Sequence, residues 1–266
     1  MPSGFVNYVS RHDPKYDHWV ATHQARTVGR QVQTVLLHLA PGLFGLIAVK
    51  VLTPWLMGPT GIRPHWIQFI LLGSMAIGWE LTMPFVWLRR EGLTFRESLE
   101  SLGLLAVDWK GLALFAPLSV IAVTVVGFPY LAYGYEPVRL WLNQWSPIAM
   151  PEWHILNWGY YNFPLLPLVI VFVGNFLGEE VYFRGYLLKR LGWLGPVKSA
   201  LVSNALFCTY HFWQAPVNWA YLPVFWLLPF GFGMIWRKSL WVTVAVHVMI
   251  NFGLMDWVVS RLQGMV

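Results

Sequence analysis

The residues best suited to chemistry lie in three short runs of the C-terminal hundred residues. The first is GNFLGEEVYFRGYLLKR, where Glu179 and Glu180 are adjacent and Arg184 follows four residues after the second. On a helix, Glu180 and Arg184 share one face, whereas Glu179 points about 100° away from Glu180. The two acids therefore cannot do one job: Glu180 is charge-compensated by Arg184, and Glu179 is left to face an interhelical cavity, with Asn175 one turn earlier. A carboxylate so placed can take a proton from water. The second run, FCTYH, sets Phe207 and His211 one turn apart, so that the ring packs beside the imidazole and fixes its rotamer. The third, HVMIN, puts His247 and Asn251 on successive turns of one face, two donors suited to a developing oxyanion. A carboxylate, an imidazole and two donors are the minimum set for attack of water on a peptide carbonyl. The competing reading of each run is structural: a charged helix end, a satisfied histidine, and an interhelical hydrogen-bond pair that holds a bundle together.

The elements that carry these groups are set by composition. The 266 residues are 57% hydrophobic and 11% charged, and the mean hydropathy is +0.52. Soluble domains carry about 25% charged residues, so a polytopic membrane protein is expected. Each span needs about 20 apolar residues to cross about 30 Å of hydrocarbon. The 17 Trp and 11 Tyr suit the two membrane interfaces. Cys208 is the single cysteine, which excludes an intramolecular disulfide and CxxC chemistry. The net charge of +6 comes from basic residues between the apolar runs. It reads as a topology signal, and no nucleic-acid partner is expected.

Apolar runs fall at 34–56, 66–88, 111–133, 164–188, 198–216, 219–236 and 240–260. Basic residues cluster before the first run (Arg11, Lys15, Arg26, Arg30), after the second (Arg89, Arg90, Arg96, Lys110), after the fourth (Lys189, Arg190, Lys198) and after the sixth (Arg237, Lys238). Arg63, Arg139 and Arg261 stand alone in the alternate segments, and the fifth loop has no Lys or Arg. This alternation predicts seven spans with the N-terminus cytoplasmic. No cleavable signal peptide is recognisable in residues 1–30, so the first span is expected to act as its own insertion signal. The fold expected is an all-α polytopic transmembrane helix bundle of about seven spans. An interfacial segment is expected near 134–163, with a short amphipathic helix around EPVRLWLNQW; a re-entrant or eighth helix there is the alternative.

Ionisable groups within a bilayer need a partner or water. Lys50 can snorkel to its span end, and Asp256 lies near the far interface. Glu80, in AIGWELTMP, is left between a structural pairing and contact with a substrate cavity. Asn204 joins His211 on the fifth span. Counted from the span centres, Glu179, His211, His247 and Asn251 spread over about 10 Å of depth, a gap that helix tilt can close.

The ordered set Glu179-Glu180-x-x-x-Arg184, Phe207-x-x-x-His211 and His247-x-x-x-Asn251 resembles the three signatures of the CPBP intramembrane protease family, which includes the type II CAAX prenyl endopeptidases and the bacterial Abi proteins. FRGYL and GFGMIWRKSLWVTVAVHVMIN resemble family sequence between the signatures. The resemblance spans about 164–260 and divides the chain into an N-terminal cytoplasmic or interfacial arm (1–33), accessory transmembrane helices with an interfacial loop (34–163), a protease-like core (164–260) and a tail (261–266). It implies that Glu179 activates water with help from His211, that His247 and Asn251 stabilise the oxyanion, and that Glu180 and Arg184 orient the site, with Phe207 in support. It also implies a membrane protein or peptide substrate, the lipid bilayer as partner, and a bacterial cytoplasmic membrane as the location. No metal or other cofactor is expected. Zinc held by Glu179, Glu180, His211 and His247 is the competing mechanism, disfavoured by the absence of HExxH and by Arg184 beside the acids. Other readings are a non-catalytic family member serving bacteriocin immunity or scaffolding, and a proton-coupled transporter.

Overall fold

A computed structural model describes residues 12–105, 107–145, 151, 164–214 and 230–250. Among the described residues the regular elements are all helical. They are α1 (Pro14–His23), α2 (Val28–Thr60), α3 (Pro64–Arg90), α4 (Phe95–Ser101), α5 (Trp109–Gln144), α6 (165–190), α7 (Pro196–Tyr210), α8 (Phe230–Arg237) and α9 (Leu240–Ile250).

Helices α2, α3 and α5 are long and apolar enough to cross a membrane. Exposed Leu36, Leu43, Val51 and Trp55 on α2 make an outward apolar face of the kind that lipid covers. Helix α6 is a further continuous run. Its first turns expose Leu165 (76%) and Leu166 (70%), whereas 178–189 are buried all round. The sixth predicted span lies mostly outside the described residues, as do Asn251, the far half of the seventh span, the beginning of the arm and most of 146–163.

One expectation is corrected. The amphipathic stretch Tyr135–Trp145 is not a separate interfacial helix; it continues α5 without a break. Wide turns at Val123–Gly127 and Tyr130–Gly134 precede Pro129 and Pro137 and accommodate their missing N–H groups. Arg139 closes the stretch with a two-pronged pair to Glu136 at 2.6 and 2.8 Å. The arm is also less detached than its composition suggests. Asp13 caps α1, Tyr16 is buried, and the Ala25 N–H donates to the Arg190 carbonyl at 2.9 Å.

Small residues let the central helices approach. A Cβ on Gly178 would lie 2.7 Å from the Ala76 carbonyl oxygen, and one on Gly174 would lie 2.8 Å from the Ala76 Cβ. These two glycines, one turn apart, seat α3 against α6 as small residues do in membrane bundles. Gly42 on α2 likewise admits the Tyr210 carbonyl at the end of α7. Buried Arg237 binds Asp108 at 2.5 and 2.7 Å, tying the end of α8 to the start of α5. The Leu240 N–H donates to Gly103 O at 3.0 Å, which fixes where α9 begins.

Candidate active site

Helix α6 supplies the acids from its wide-turned middle, Val173–Gly178 and Glu180–Leu187. Widened turns of this sort re-aim side chains and recur at functional sites. Glu180 and Arg184 are fully buried and paired one turn apart, with Nη1 3.0 Å from Oε1. The same Glu180 oxygen receives Nδ1 of His247 at 3.0 Å, so α9 is pinned to α6 through one carboxylate. With Nδ1–H spent on a carboxylate, the other ring nitrogen is directed elsewhere. His247 Nε2 lies 3.8 Å from Glu179 Oε2. That separation is too long for a direct hydrogen bond and short enough for one water to reach both atoms at about 2.8 Å.

Glu179 is almost fully buried, and its two oxygens differ. Oε1 accepts the Tyr210 hydroxyl at 2.9 Å, whereas Oε2 has no hydrogen-bond partner among the described residues. This is the division of labour expected from helical spacing, one acid paired and the other turned to a different face.

Phe207 is the packing centre. Arg184 Cζ sits 3.9 Å from its ring centroid, and His211 and His247 meet it edge-on at 4.8 and 5.8 Å. His211 stands at the C-terminal cap of α7, with Nδ1 2.8 Å from the Phe207 carbonyl. Nδ1–H donation to that carbonyl leaves Nε2 as the lone-pair nitrogen. The structure thus gathers Glu179, Glu180, Arg184, Phe207 and His247 directly and sets His211 behind Phe207. Among the described residues no hydrogen bond joins His211 to Glu179; the group on Glu179 is Tyr210. Asn204 lies at the outer edge of the cluster, 3.5 Å from Arg184 Nη2.

Two residues beyond the sequence-based set belong to this cluster. Tyr210 lies inside the FCTYH run, where a phenol on an apolar helix needs a partner. Glu80 on α3 is fully buried, with its carboxyl beside the Tyr210 hydroxyl and within electrostatic reach of Glu179. No three His, Cys, Asp or Glu side chains among the described residues are grouped as metal ligands. Glu180 already serves two nitrogen donors, and the Arg184 guanidinium would repel a dication.

Residues 161–253 match the family model described as Type II CAAX prenyl endopeptidase Rce1-like. The match bears out the resemblance to the CPBP family, and it covers the region that holds all three runs. No curated protein and no solved structure matches the chain. With the helices long and apolar enough to cross a bilayer, the chain is an integral membrane protein.

Proposed function

We propose that this chain is an intramembrane endopeptidase that uses Glu179 to activate water against a peptide bond near the membrane surface. The observation that carries this reading is the unpartnered Oε2 of buried Glu179, 3.8 Å from His247 Nε2. A water between the two gives its proton to Glu179 as its oxygen bonds to the scissile carbonyl carbon. The tetrahedral oxyanion is stabilised by His247, held through Nδ1 by Glu180 with Nε2 left toward Glu179, and by Asn251, four residues on in the sequence. Glu179 then returns the proton to the leaving nitrogen as the C–N bond breaks. Glu180, Arg184 and Phe207 hold His247 in place, and His211 Nε2 offers a further acceptor beside it. No metal takes part.

The substrate class is a membrane-anchored or lipidated protein, or a C-terminal sorting tail. The description of the matching family points first to prenylated CAAX ends. Alternating basic loops support seven spans with a cytoplasmic N-terminus, which places the ends of α3 and α6, at Arg90 and Arg190, on the cytoplasmic side.

The test compares the native protein with Glu179→Gln at equal abundance in membranes, mapping new peptide termini and following a quenched-fluorescent farnesylated CAAX peptide. Loss of general-base catalysis costs about 10²- to 10⁴-fold. Termini near an interface that need Glu179 are expected. Equal termini and equal peptide turnover from both proteins would remove Glu179 from the chemistry. Glutamate-dependent solute uptake with no new termini would favour a proton-coupled transporter.

A further inference from the structure

Glu80 sits four residues after Ala76, the residue that Gly174 and Gly178 admit, so the close approach of α3 to α6 is what brings it beside Glu179. It is fully buried, and neither of its oxygens has a hydrogen bond of good geometry. The groups acting on it are the Tyr210 hydroxyl on α7, with Glu179 and Tyr182 on α6. None of them is a cation.

A phenol has one hydrogen to donate and an oxygen that can also accept. Tyr210 donates its hydrogen to Glu179 Oε1 at 2.9 Å. Glu80 can therefore bond to Tyr210 only as the donor, through its own O–H. An ionised Glu80 would face the lone pairs of Tyr210 with no donor among the described residues, buried in the protein where an uncompensated charge is costly.

We propose that Glu80 is a positioning residue of the site, a protonated carboxyl that donates to Tyr210 Oη and, through the Tyr210 hydroxyl, holds Glu179 with Oε2 turned toward the substrate. Its proton is not consumed in turnover; it fixes the direction of the chain Glu80 to Tyr210 to Glu179. The catalytic consequence rests on the endopeptidase reading above, whereas the protonation state does not.

Infrared difference spectra therefore come first, on purified native protein and Glu80→Gln in lipid nanodiscs at neutral pH. The native protein should show a protonated-carboxyl C=O band that Glu80→Gln lacks. A band missing from the native protein, or unchanged in Glu80→Gln, overturns the proposal. The second arm follows cleavage of the farnesylated CAAX peptide across pH. Glu80→Ala should lose about 10- to 100-fold in turnover, the worth of one buried hydrogen bond. Glu80→Gln, whose amide still donates, should recover most of that loss. It should also abolish the alkaline fall that the native protein shows when Glu80 gives up its proton. A Glu80→Gln protein as inactive as Glu80→Ala, with both variants eluting as monodisperse species, refutes the donor role. A native protein with the infrared band but no turnover overturns the endopeptidase reading alone.

Discussion

Replacing Arg184 with leucine tests whether the cluster is held by charge. Arg184 and Glu180 are both fully buried and 3.0 Å apart. Their attraction is about 5 kcal/mol at an effective dielectric constant of about 20, much of it offset by the desolvation of both ions. Removing one partner is different, because the other remains buried and uncompensated, at a cost of about 3–5 kcal/mol. The guanidinium stacked 3.9 Å from the Phe207 centroid is lost as well. Arg184→Leu should thus lower stability by about 3–5 kcal/mol. The double variant Glu180→Gln/Arg184→Leu removes the stranded charge and keeps an amide oxygen to accept from His247 Nδ1. It should be more stable than Arg184→Leu by about 2 kcal/mol, within the coupling range of contacting residues. Reversible unfolding in mixed micelles, monitored by helical circular dichroism, measures all four corners of the cycle. A double variant no more stable than Arg184→Leu would show that no stranded charge is left on Glu180 when Arg184 is removed, and so that charge does not hold the cluster.

Three further outcomes follow from the packing and the surface. Gly178→Ala should destabilise by about 1–3 kcal/mol through the clash with the Ala76 carbonyl, although alanine in a helix normally gains about 0.5–1 kcal/mol over glycine. Gly73→Ala, which meets nothing within 4 Å, should show only that gain, and micellar unfolding of both distinguishes them. Tyr182 accepts from Trp79 Nε1 at 3.2 Å and donates to the Leu37 carbonyl at 2.7 Å, joining α3, α6 and α2. Tyr182→Phe should cost about 0.5–1.5 kcal/mol per bond lost in the same unfolding assay. At the end of α3, burial works to raise the Glu91 carboxyl, but the hydrogen bond and charge of His23, with Arg190 and Tyr186, leave it lowered. A lowered carboxyl stabilises the folded state above its ordinary value of about 4.3 and loses that contribution as pH falls through the depressed value. Hydrogen exchange in α1 should therefore accelerate in that acid window. In Glu91→Gln it should be fast already at neutral pH and show no acid step.

The chemistry-bearing residues were legible because helical spacing is local. The four-residue step from Glu180 to Arg184 dictates their pairing, and the single-residue step between the adjacent acids dictates their separation; both appear in the structure. The link from His247 to Glu180 was not legible, since nothing in either run states which face of α9 meets α6. Tyr210 was missed for the same reason, and Glu80, though singled out, could not be given its partner. Glu80 is distant in sequence from Glu179, and the pair of small residues that joins their helices, Gly174 and Gly178, carries no sign of its partner until Ala76 is seen against it. The apolar run ending at 133 suggested a boundary near residue 134, and the wide turns around Pro129 and Pro137 show how one long helix passes through it.

The change in α6 from an exposed first turn to complete burial at Gly178 explains why two acids are tolerated in an apolar run. Glu179 lies about 16 Å along the helix from Arg190, and Glu80 about 15 Å along α3 from Arg90, at 1.5 Å per residue. Both lie within a hydrocarbon layer of about 30 Å. At that depth the only affordable carboxyls are those that protein, not lipid, surrounds. Gly178, one turn after Gly174, keeps α3 near enough to supply that cover. The same contact that shields Glu179 from lipid thus delivers Glu80 to it, so packing and chemistry here both depend on the close approach at Gly178. A larger residue at that position should separate the carboxyls as it separates the helices.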